Sequence, residues 1–170
     1  MKKNINVFDY SDLIIKSLKP GLLLNTNGDK FNSMVIGWGH LGVVWGIETF
    51  IVYVRQSRYT KSQLDKTERF TISVPMNNEI HPEIFKVFGS QSGKDINKAD
   101  YVLLEEANLN NTPGIKQYPL TIECEVLYSQ DQELDKIPTE IIDSHYQKGD
   151  IHTMYVGKIL DAYIIKEDKI

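Results

Sequence analysis

The sequence is poor in cysteine, in positive charge and in long hydrophobic runs. Cys124 is the only cysteine in 170 residues, which excludes a disulfide within the chain and is typical of proteins of the reducing cytoplasm. Lysine and arginine number 19 against 23 aspartates and glutamates, so the formal net charge of −4 gives no electrostatic reason to expect binding to DNA or RNA. We therefore expect a cytoplasmic protein without a nucleic-acid partner.

Membrane and secretion signals are also scarce. Lys2 and Lys3 follow the first methionine, but no apolar run of signal-peptide length comes after them. Residues 34–54 are mostly apolar and resemble a membrane span in length. They contain four glycines, His40 and Glu48, and an acidic residue near the centre of a span costs about 2.5–3.5 kcal/mol. We therefore expect a soluble protein that does not bind a membrane.

Patterns that would indicate a metal site or a catalytic nucleophile are missing. The four histidines have no metal-ligand spacing among themselves or with Cys124: His40, His81, His145 and His152. No G-x-S-x-G nucleophile motif occurs in the sequence. Cys124 falls in the middle of an apolar alternating segment, which indicates a core residue. We predict no metal ion.

One glycine pattern has the spacing of a dinucleotide-binding fingerprint. Gly37, Gly39 and Gly42 form G-x-G-x-x-G, a motif that requires a strand before it and a helix after it. The residues that follow are β-branched and aromatic, which favours a strand and not a helix. We therefore predict that these glycines shape a turn between strands, and we exclude a Rossmann fold.

The hydrophobic periodicity predicts many strands and few helices in a single domain of residues 1–170. Strands are predicted over 22–24, 31–36, 49–54, 70–74, 120–128 and 151–165, and short helices over 61–68, 82–88 (with Gly89 as C-cap) and 138–146. The 49–54 strand is apolar on both faces apart from Thr49, which indicates cover by a helix or a partner subunit. The 70–74 strand alternates and should be half-buried, and Gly157 indicates a bulge. The fold class is mainly β, a β-barrel with a few short helices.

The most informative segment is YVRQSRYTKSQLDKTERF, residues 53–70, where a strand runs directly into a helix. Thr60-x-x-Gln63 has the capping-box pattern, which predicts Thr60 as the N-cap. Cationic and hydroxyl side chains meet at this helix N-terminus: Arg55, Ser57, Arg58, Tyr59 and Thr60. Free N–H groups and the helix dipole favour an anion there, so we predict a phosphate site. The alternative is an arginine pair that only solvates a strand end or contacts carboxylates such as Asp65.

A second candidate loop covers residues 88–100, FGSQSGKDINKAD. Ser92 and Gly93 offer hydroxyl and backbone donors, and Lys94 and Lys98 add positive charge. The segment lacks the G-x-x-x-x-G-K-[ST] pattern, so it is not a P-loop. A solvated linker is the alternative interpretation.

Five strings occur in order over nearly the whole chain: NSMVIGWGHLGVVWG, YVRQSRYT, SGKD followed by NKAD, LTIECEVLY and HTMYVGKI. As an ordered set they resemble the flavin reductase-like proteins, which bind flavin mononucleotide (FMN) in a split β-barrel. The resemblance implies an FMN-binding split barrel and a homodimer with flavin near the subunit interface.

The resemblance also implies roles for individual residues. Ser33, Met34 and Val35 would line the isoalloxazine ring with Asn32 beside them. Ser57, Arg58 and Thr60, next to Tyr59 and together with Arg55, would hold the phosphate. Ser92, Gly93 and Lys98 match the second flavin loop, and His152 and Tyr155 match an H-x-x-Y-x-G strand that approaches the active face.

The implied activity is an NAD(P)H-dependent flavin reductase in which a hydride passes from the nicotinamide to flavin N5. His152 is the candidate catalytic residue, for orienting the nicotinamide or adjusting the flavin. Two alternatives stay open: a flavin-binding electron carrier reduced by a protein partner, and a barrel that binds another phosphorylated planar ligand such as pyridoxal phosphate. The choice between NADH and NADPH also stays open, as does a redox protein or monooxygenase as the electron acceptor.

Overall fold

A computed structural model describes residues 1–76 and 80–166. Its strands are β1 (Lys2–Asn4), β2 (Leu22–Asn27), β3 (Phe31–Ile36), β4 (Gly39–Val44), β5 (Ile47–Arg55), β6 (Arg69–Val74), β7 (Leu104–Glu105), β8 (Gly114–Ile115), β9 (Leu120–Asp131) and β10 (His152–Ile165). Its α-helices are α1 (Ser11–Leu18), α2 (Tyr59–Thr67), α3 (Pro82–Ser90) and α4 (Thr139–His145).

The main sheet is antiparallel, in the order β3-β2-β6-β9-β10-β5-β4, with β1 paired to β10. Leu24 of β2, Ile72 of β6 and Val52 of β5 belong to one buried apolar cluster, so strands from both halves of the sheet face a common core. A second cluster includes Leu23 and Phe88 and holds α3 against the opposite face of β2 and β3. This architecture confirms the mainly-β prediction.

The predicted helices are present with shifted ends. The 61–68 helix begins at Tyr59, and the 82–88 helix continues to Ser90, so Gly89 lies inside it and Gln91 is the C-cap. The 138–146 helix covers Thr139–His145. Helix α1 was not predicted; Ile14 and Ser17 are buried, and Leu13 and Leu18 also pack against the core.

One burial prediction is wrong, and a second is met on only one face within the single chain. All five residues 70–74 are fully buried, because the loop before β8 covers the face that was expected to be open: Thr71 donates to the Pro113 carbonyl at 2.9 Å. In β5, Phe50, Val52 and Val54 are buried in the core, whereas Ile51 and Tyr53 on the other face are only half-buried.

The G-x-G-x-x-G segment leads into a strand, so the exclusion of a Rossmann fold is confirmed. The turn prediction holds only for Gly37, because Gly39 and Gly42 lie within β4. The Cβ of any larger residue at position 39 would lie 2.9 Å from the Ile51 carbonyl oxygen, which explains the glycine there by close approach. The hairpin turn itself is at Trp45 and Gly46, both with positive φ.

The bulge predicted at Gly157 is confirmed by a register shift between Val156 and Gly157 against β9. The apolar residues 34–54 lie mainly in β3, β4 and β5. Over the ranges 1–76 and 80–166, none of the helices has the length and hydropathy that a membrane span requires.

Candidate functional site

The connection between β5 and α2 differs from the predicted capping box. Arg58 is the N-cap of α2, and no side chain caps the helix. Thr60 is the second helical residue, and its Oγ1 accepts a hydrogen bond from Asn32 Nδ2 at 2.9 Å. Gln63 instead bonds Thr26 Oγ1 at 2.5 Å and the Lys30 carbonyl at 3.0 Å. The predicted N-cap is therefore wrong, because tertiary partners on β2 and β3 engage both side chains.

A cavity of about 110 Å³ lies where α2 and β3 meet residues 88–98. These residues, called the 88–98 loop below, are the last turn of α3 and the connection that follows it. The structure brings most of the predicted ligand-binding residues to its wall: Asn32, Met34, Val35, Ser57, Arg58, Tyr59, Thr60, Ser92, Gly93 and Lys98. Phe88, Gly89 and Gln91 also line it, and the sequence analysis did not assign them to the site. The two loops that were separate candidates therefore form one site.

The 88–98 loop is held against β3 by two close contacts. A Cβ at Gly93 would lie 2.1 Å from Asn32 Oδ1, so only glycine allows this approach. Lys98 is 2% exposed, and its Nζ donates to the carbonyls of Ser33 at 2.6 Å and Phe88 at 3.3 Å. Burial, together with the charge of Arg58, lowers the pKa of Lys98 to about 8. The wall of the cavity therefore includes the buried ammonium-bearing side chain of Lys98.

Ser33 and Tyr155 do not line the cavity. Ser33 is fully buried and contributes its carbonyl to Lys98, while its hydroxyl has no partner in the described parts of the chain. Tyr155 belongs to the main core and donates to Asp65 Oδ1 at 2.6 Å. On a strand, residues three apart point to opposite faces, so His152 and Tyr155 cannot approach the same site. The predicted binding role of Tyr155 is not supported.

A second cavity of about 180 Å³ shares Met34, Val35 and Arg58 with the first, and Arg55 and His152 line it. Arg55 lies away from the predicted phosphate site. Its guanidinium donates to the carbonyls of Asp150 at 2.7 Å and His145 at 3.1 Å. Arg55 thus fixes the segment that leads into β10.

Asp150 is a site residue that the sequence analysis missed. Its carboxylate accepts hydrogen bonds from Ser57 N at 3.0 Å and Ser57 Oγ at 2.6 Å. Burial alone would raise the pKa of Asp150, but the bonds from Ser57 and the charges of Arg55 and Arg58 outweigh it and lower the pKa. No local signal connects positions 57 and 150, because 93 residues separate them.

His152 faces the second cavity from the start of β10. It is 7% exposed, its Nδ1 lies 2.8 Å from the Tyr146 hydroxyl, and its ring centroid lies 4.6 Å from that of Trp38. Burial and the nearby charge of Arg55 lower the pKa of His152 to about 4. The imidazole is therefore neutral at pH 7.

The remaining candidate groups are structural. Asp65 pairs with Lys61 at 2.7 Å and with Tyr155, not with the arginines. Cys124 is fully buried in the core, as predicted, and burial raises the pKa of its thiol, which makes it a poor nucleophile. No group of three or more potential metal ligands occurs among residues 1–76 and 80–166.

Residues 24–170 match the family model of the flavin reductase-like domain. The chain belongs to the flavin reductase-like family. The match covers every residue of the site described above. A comparison with curated protein sequences finds no match.

Solved structures of the flavin reductase-like family share the fold. Flavoredoxin from Methanosarcina acetivorans is 24% identical with a TM-score of 0.66, over 88% of this chain and 70% of its own. An FMN-binding domain of a flavin reductase-like enzyme from Shewanella baltica is 17% identical with a TM-score of 0.68, over 96% and 77%. The NADH:FAD oxidoreductase of Streptomyces globisporus is 14% identical with a TM-score of 0.66, over 85% and 75%. The split-barrel prediction is thereby confirmed.

Proposed function

We propose that this flavin reductase-like chain binds FMN and catalyses its reduction by NADH or NADPH. The observation that carries the proposal is that the α2 N-terminus, Arg58 and the 88–98 loop form one shared cavity against the edge of β3. The cavity wall combines cation, hydroxyl and backbone donors with the apolar side chains of Met34 and Val35, which fits a ligand with a phosphate and an apolar ring. Membership of the family supports flavin as that ligand.

The phosphate end of the ligand would contact Arg58, Thr60 and the Ser92–Gly93 turn. The first N–H groups of α2 have no side-chain cap, so they add hydrogen-bond donors and the positive end of the helix dipole. Lys98, at the end of the 88–98 loop, adds positive charge to the cavity wall. Together these groups would hold the phosphate and leave the ring at Met34 and Val35.

FMN, when bound, supplies a ring that accepts a hydride at N5. The chain's own residues would position the reactants: Met34 and Val35 support one ring face, and the second cavity leaves room beside it. His152 borders that room and is neutral at pH 7, so it would orient a nicotinamide by hydrogen bonding without adding charge. Proximity and orientation account for the catalysis, and no general base is required.

A flavin-binding electron carrier, reduced by a protein partner, is the second candidate. The structural similarity to the flavoredoxin of Methanosarcina acetivorans favours it. Both candidates need the same flavin site, and they differ in the electron donor.

The visible absorbance spectrum, recorded before and after anaerobic addition of NADH or NADPH, tests the proposal. Flavin bands that bleach with a nicotinamide support the reductase. Bands that persist with both nucleotides but bleach with dithionite favour the carrier. A protein that stays colourless after FMN is added contradicts flavin binding, and a phosphorylated planar ligand such as pyridoxal phosphate would then be tested.

His152→Ala tests the positioning role within this activity. We expect slower anaerobic reduction of the flavin by NADH, with the flavin still bound, because His152 contacts the second cavity and not the phosphate end. His81→Ala is the matched control, because His81 lies at the start of α3 beside Tyr118. Equal reduction rates in the two variants would exclude the role.

We also propose a homodimer that packs the outer sheet face, defined as Ile51, Tyr53, Met154, Tyr128 and Trp45, against a second copy. Pairing places Tyr53 opposite Met154, and Trp45 lies 6.3 Å from Tyr128 between ring centroids. The face is apolar and open, and it begins beside the second cavity, where Tyr53 lines the wall. A monooxygenase or redox partner and a cytoplasmic location stay predictions that rest on the resemblance and on the cysteine content.

A further inference from the structure

Three side chains form a hydrogen-bond chain that ends at the second cavity. The Tyr146 hydroxyl lies 2.6 Å from Gln132 Oε1 and 2.8 Å from His152 Nδ1. Tyr146 is 4% exposed and His152 is 7% exposed. The backbone N–H of Gln132 also donates to the His152 carbonyl at 2.9 Å, which fixes the two ends of the chain relative to each other.

The proton count along this chain determines the tautomer of His152. A phenol has one proton, and the amide oxygen of Gln132 can only accept, so Tyr146 donates to Gln132. The Tyr146 oxygen then accepts from His152 Nδ1–H. A neutral imidazole carries one N–H, so Nε2 has a free lone pair.

We propose that Gln132 and Tyr146 are positioning residues that hold His152 in the Nδ1–H tautomer, so that Nε2 accepts a hydrogen bond from a ligand N–H in the second cavity. The assignment of this ligand rests on the proposed function. The group that donates to Nε2 is then the carboxamide N–H of the reduced nicotinamide. A carboxamide is then favoured over a ligand that offers only acceptors there, because an acceptor would face the Nε2 lone pair.

Two features of the surroundings support this arrangement. Burial and Arg55 keep His152 in its neutral form at pH 7, which is the form that has a tautomer. The Trp38 ring at 4.6 Å and the Tyr146 ring at 5.6 Å pack against the imidazole and restrict its rotation. The hydrogen-bond chain therefore acts on an imidazole that the packing already holds in place.

The first test is a long-range proton–nitrogen NMR correlation on uniformly labelled protein at pH 7, with no nicotinamide added. His152→Gln identifies the His152 signals. We expect the pattern of an Nδ1–H imidazole. An Nε2–H pattern or an imidazolium pattern would overturn the proposal, and neither outcome depends on whether the protein reduces flavin.

Two substitutions in the chain sharpen this test. Gln132→Glu keeps an acceptor and removes the amide donor, so we expect the Nδ1–H pattern in both the wild type and the variant. An Nε2–H pattern in the wild type that changes to Nδ1–H in Gln132→Glu would show that Gln132 donates to Tyr146 and would overturn the proposal. Tyr146→Phe keeps the ring and removes the acceptor of Nδ1–H, so the Nδ1–H preference should be lost. Tyr101→Phe is the matched control, because it removes the hydroxyl of a tyrosine that is 46% exposed and lies outside both the hydrogen-bond chain and the outer sheet face.

The ligand assignment is tested with NADH and its reduced 3-acetylpyridine analogue, which lacks the carboxamide N–H. We expect Tyr146→Phe to lower the preference in kcat/KM for NADH over the analogue by about two- to tenfold, the effect of one hydrogen bond. Tyr101→Phe should leave the preference unchanged. An unchanged preference in Tyr146→Phe would overturn the ligand assignment, whereas reduction by neither compound would contradict the proposed function and leave the NMR result standing.

Discussion

At the scale of single residues, the two arginines of the 53–70 segment have different roles. Arg55 donates to two backbone carbonyls and stabilises the approach to β10. The Arg58 side chain lines both cavities, and no hydrogen bond joins its guanidinium to another residue in the ranges 1–76 and 80–166. Arg58 is therefore the arginine available to an anion. Ser57, next to it, already binds the Asp150 carboxylate.

Asp150→Asn should strengthen FMN binding by about fivefold while leaving riboflavin binding unchanged. The Asp150 carboxylate binds Ser57, which lines the proposed phosphate site, and one unit charge at a partly exposed site is worth about 1 kcal/mol. Asparagine keeps an acceptor for Ser57. Fluorescence titration with both flavins measures the ratio of dissociation constants. Riboflavin, which lacks the phosphate, is the internal control, and an equal change for both flavins would contradict the prediction.

Because of His152, the free energy of unfolding should decrease as the pH falls from 6.5 to 4. The unfolded chain binds a proton at His152 below about 6.5, whereas the folded protein binds it only below about 4. The unfolded state therefore holds more protons in this window, and acid favours it. Urea unfolding at pH 7 and at pH 4.5 measures the change. Between these two values the free energy of unfolding should fall by about 2–3 kcal/mol more in the wild type than in His152→Gln. Parallel losses in the two proteins would refute the prediction.

At the scale of elements, the site depends on how α2 and the 88–98 loop pack on β3. The sequence analysis placed a helix start and a glycine–serine loop near their observed positions. It could not predict that Thr60 and Gln63 bond to β3 and β2, because a capping box is a local pattern and these partners are 28 and 37 residues away. The packing leaves the first turn of α2 without a side-chain cap.

Gly93→Ala should displace the 88–98 loop from β3 and weaken FMN binding by at least tenfold. The added Cβ would lie 2.1 Å from Asn32 Oδ1 and 3.1 Å from the Tyr59 ring. Gly42→Ala in β4 is the matched control, because its Cβ would meet no atom within 4 Å and Gly42 does not line the cavity. Dissociation constants for FMN and thermal melts of both variants measure the effect. Wild-type affinity in Gly93→Ala would show that the close contact is not needed.

At the scale of the whole molecule, the barrel strands have unequal environments. β6 is covered on both faces within the chain, whereas the outer face of β5 is only half-covered. The 49–54 pattern predicted burial of both faces of the strand, but a single chain fully buries only the face toward the core. A second copy on the outer sheet face would supply the other, which connects the apolar pattern to the proposed dimer.

The double variant Trp45→Ser/Tyr128→Ser should convert the proposed dimer into a monomer of 19.5 kDa. Trp45 and Tyr128 are 66% and 42% exposed in the single chain and form the rim of the outer sheet face. Light scattering after gel filtration measures the mass. Ile15→Ser removes an equally exposed apolar side chain from α1 and should leave the mass unchanged. A monomeric wild type would contradict the homodimer.

The sequence by itself determined the fold class, the positions of most strands and the local group Arg58, Tyr59 and Thr60 near the start of a helix. These features follow from period-two alternation and from adjacency along the chain, which are short-range properties. The sequence also shows that His152 and Tyr155 cannot share one site, because residues three apart lie on opposite faces of a strand.

Only the tertiary structure decided how the polar groups pair. Ser57 binds Asp150 across 93 positions, Lys98 donates to Ser33 across 65, and Gln132, Tyr146 and His152 join in one chain of hydrogen bonds. The sequence offers many possible acceptors for each donor, and the fold brings only a few of them within about 3 Å of it. Hydrogen bonds act only at that distance, so the partners of the site residues depend on the packing of distant segments.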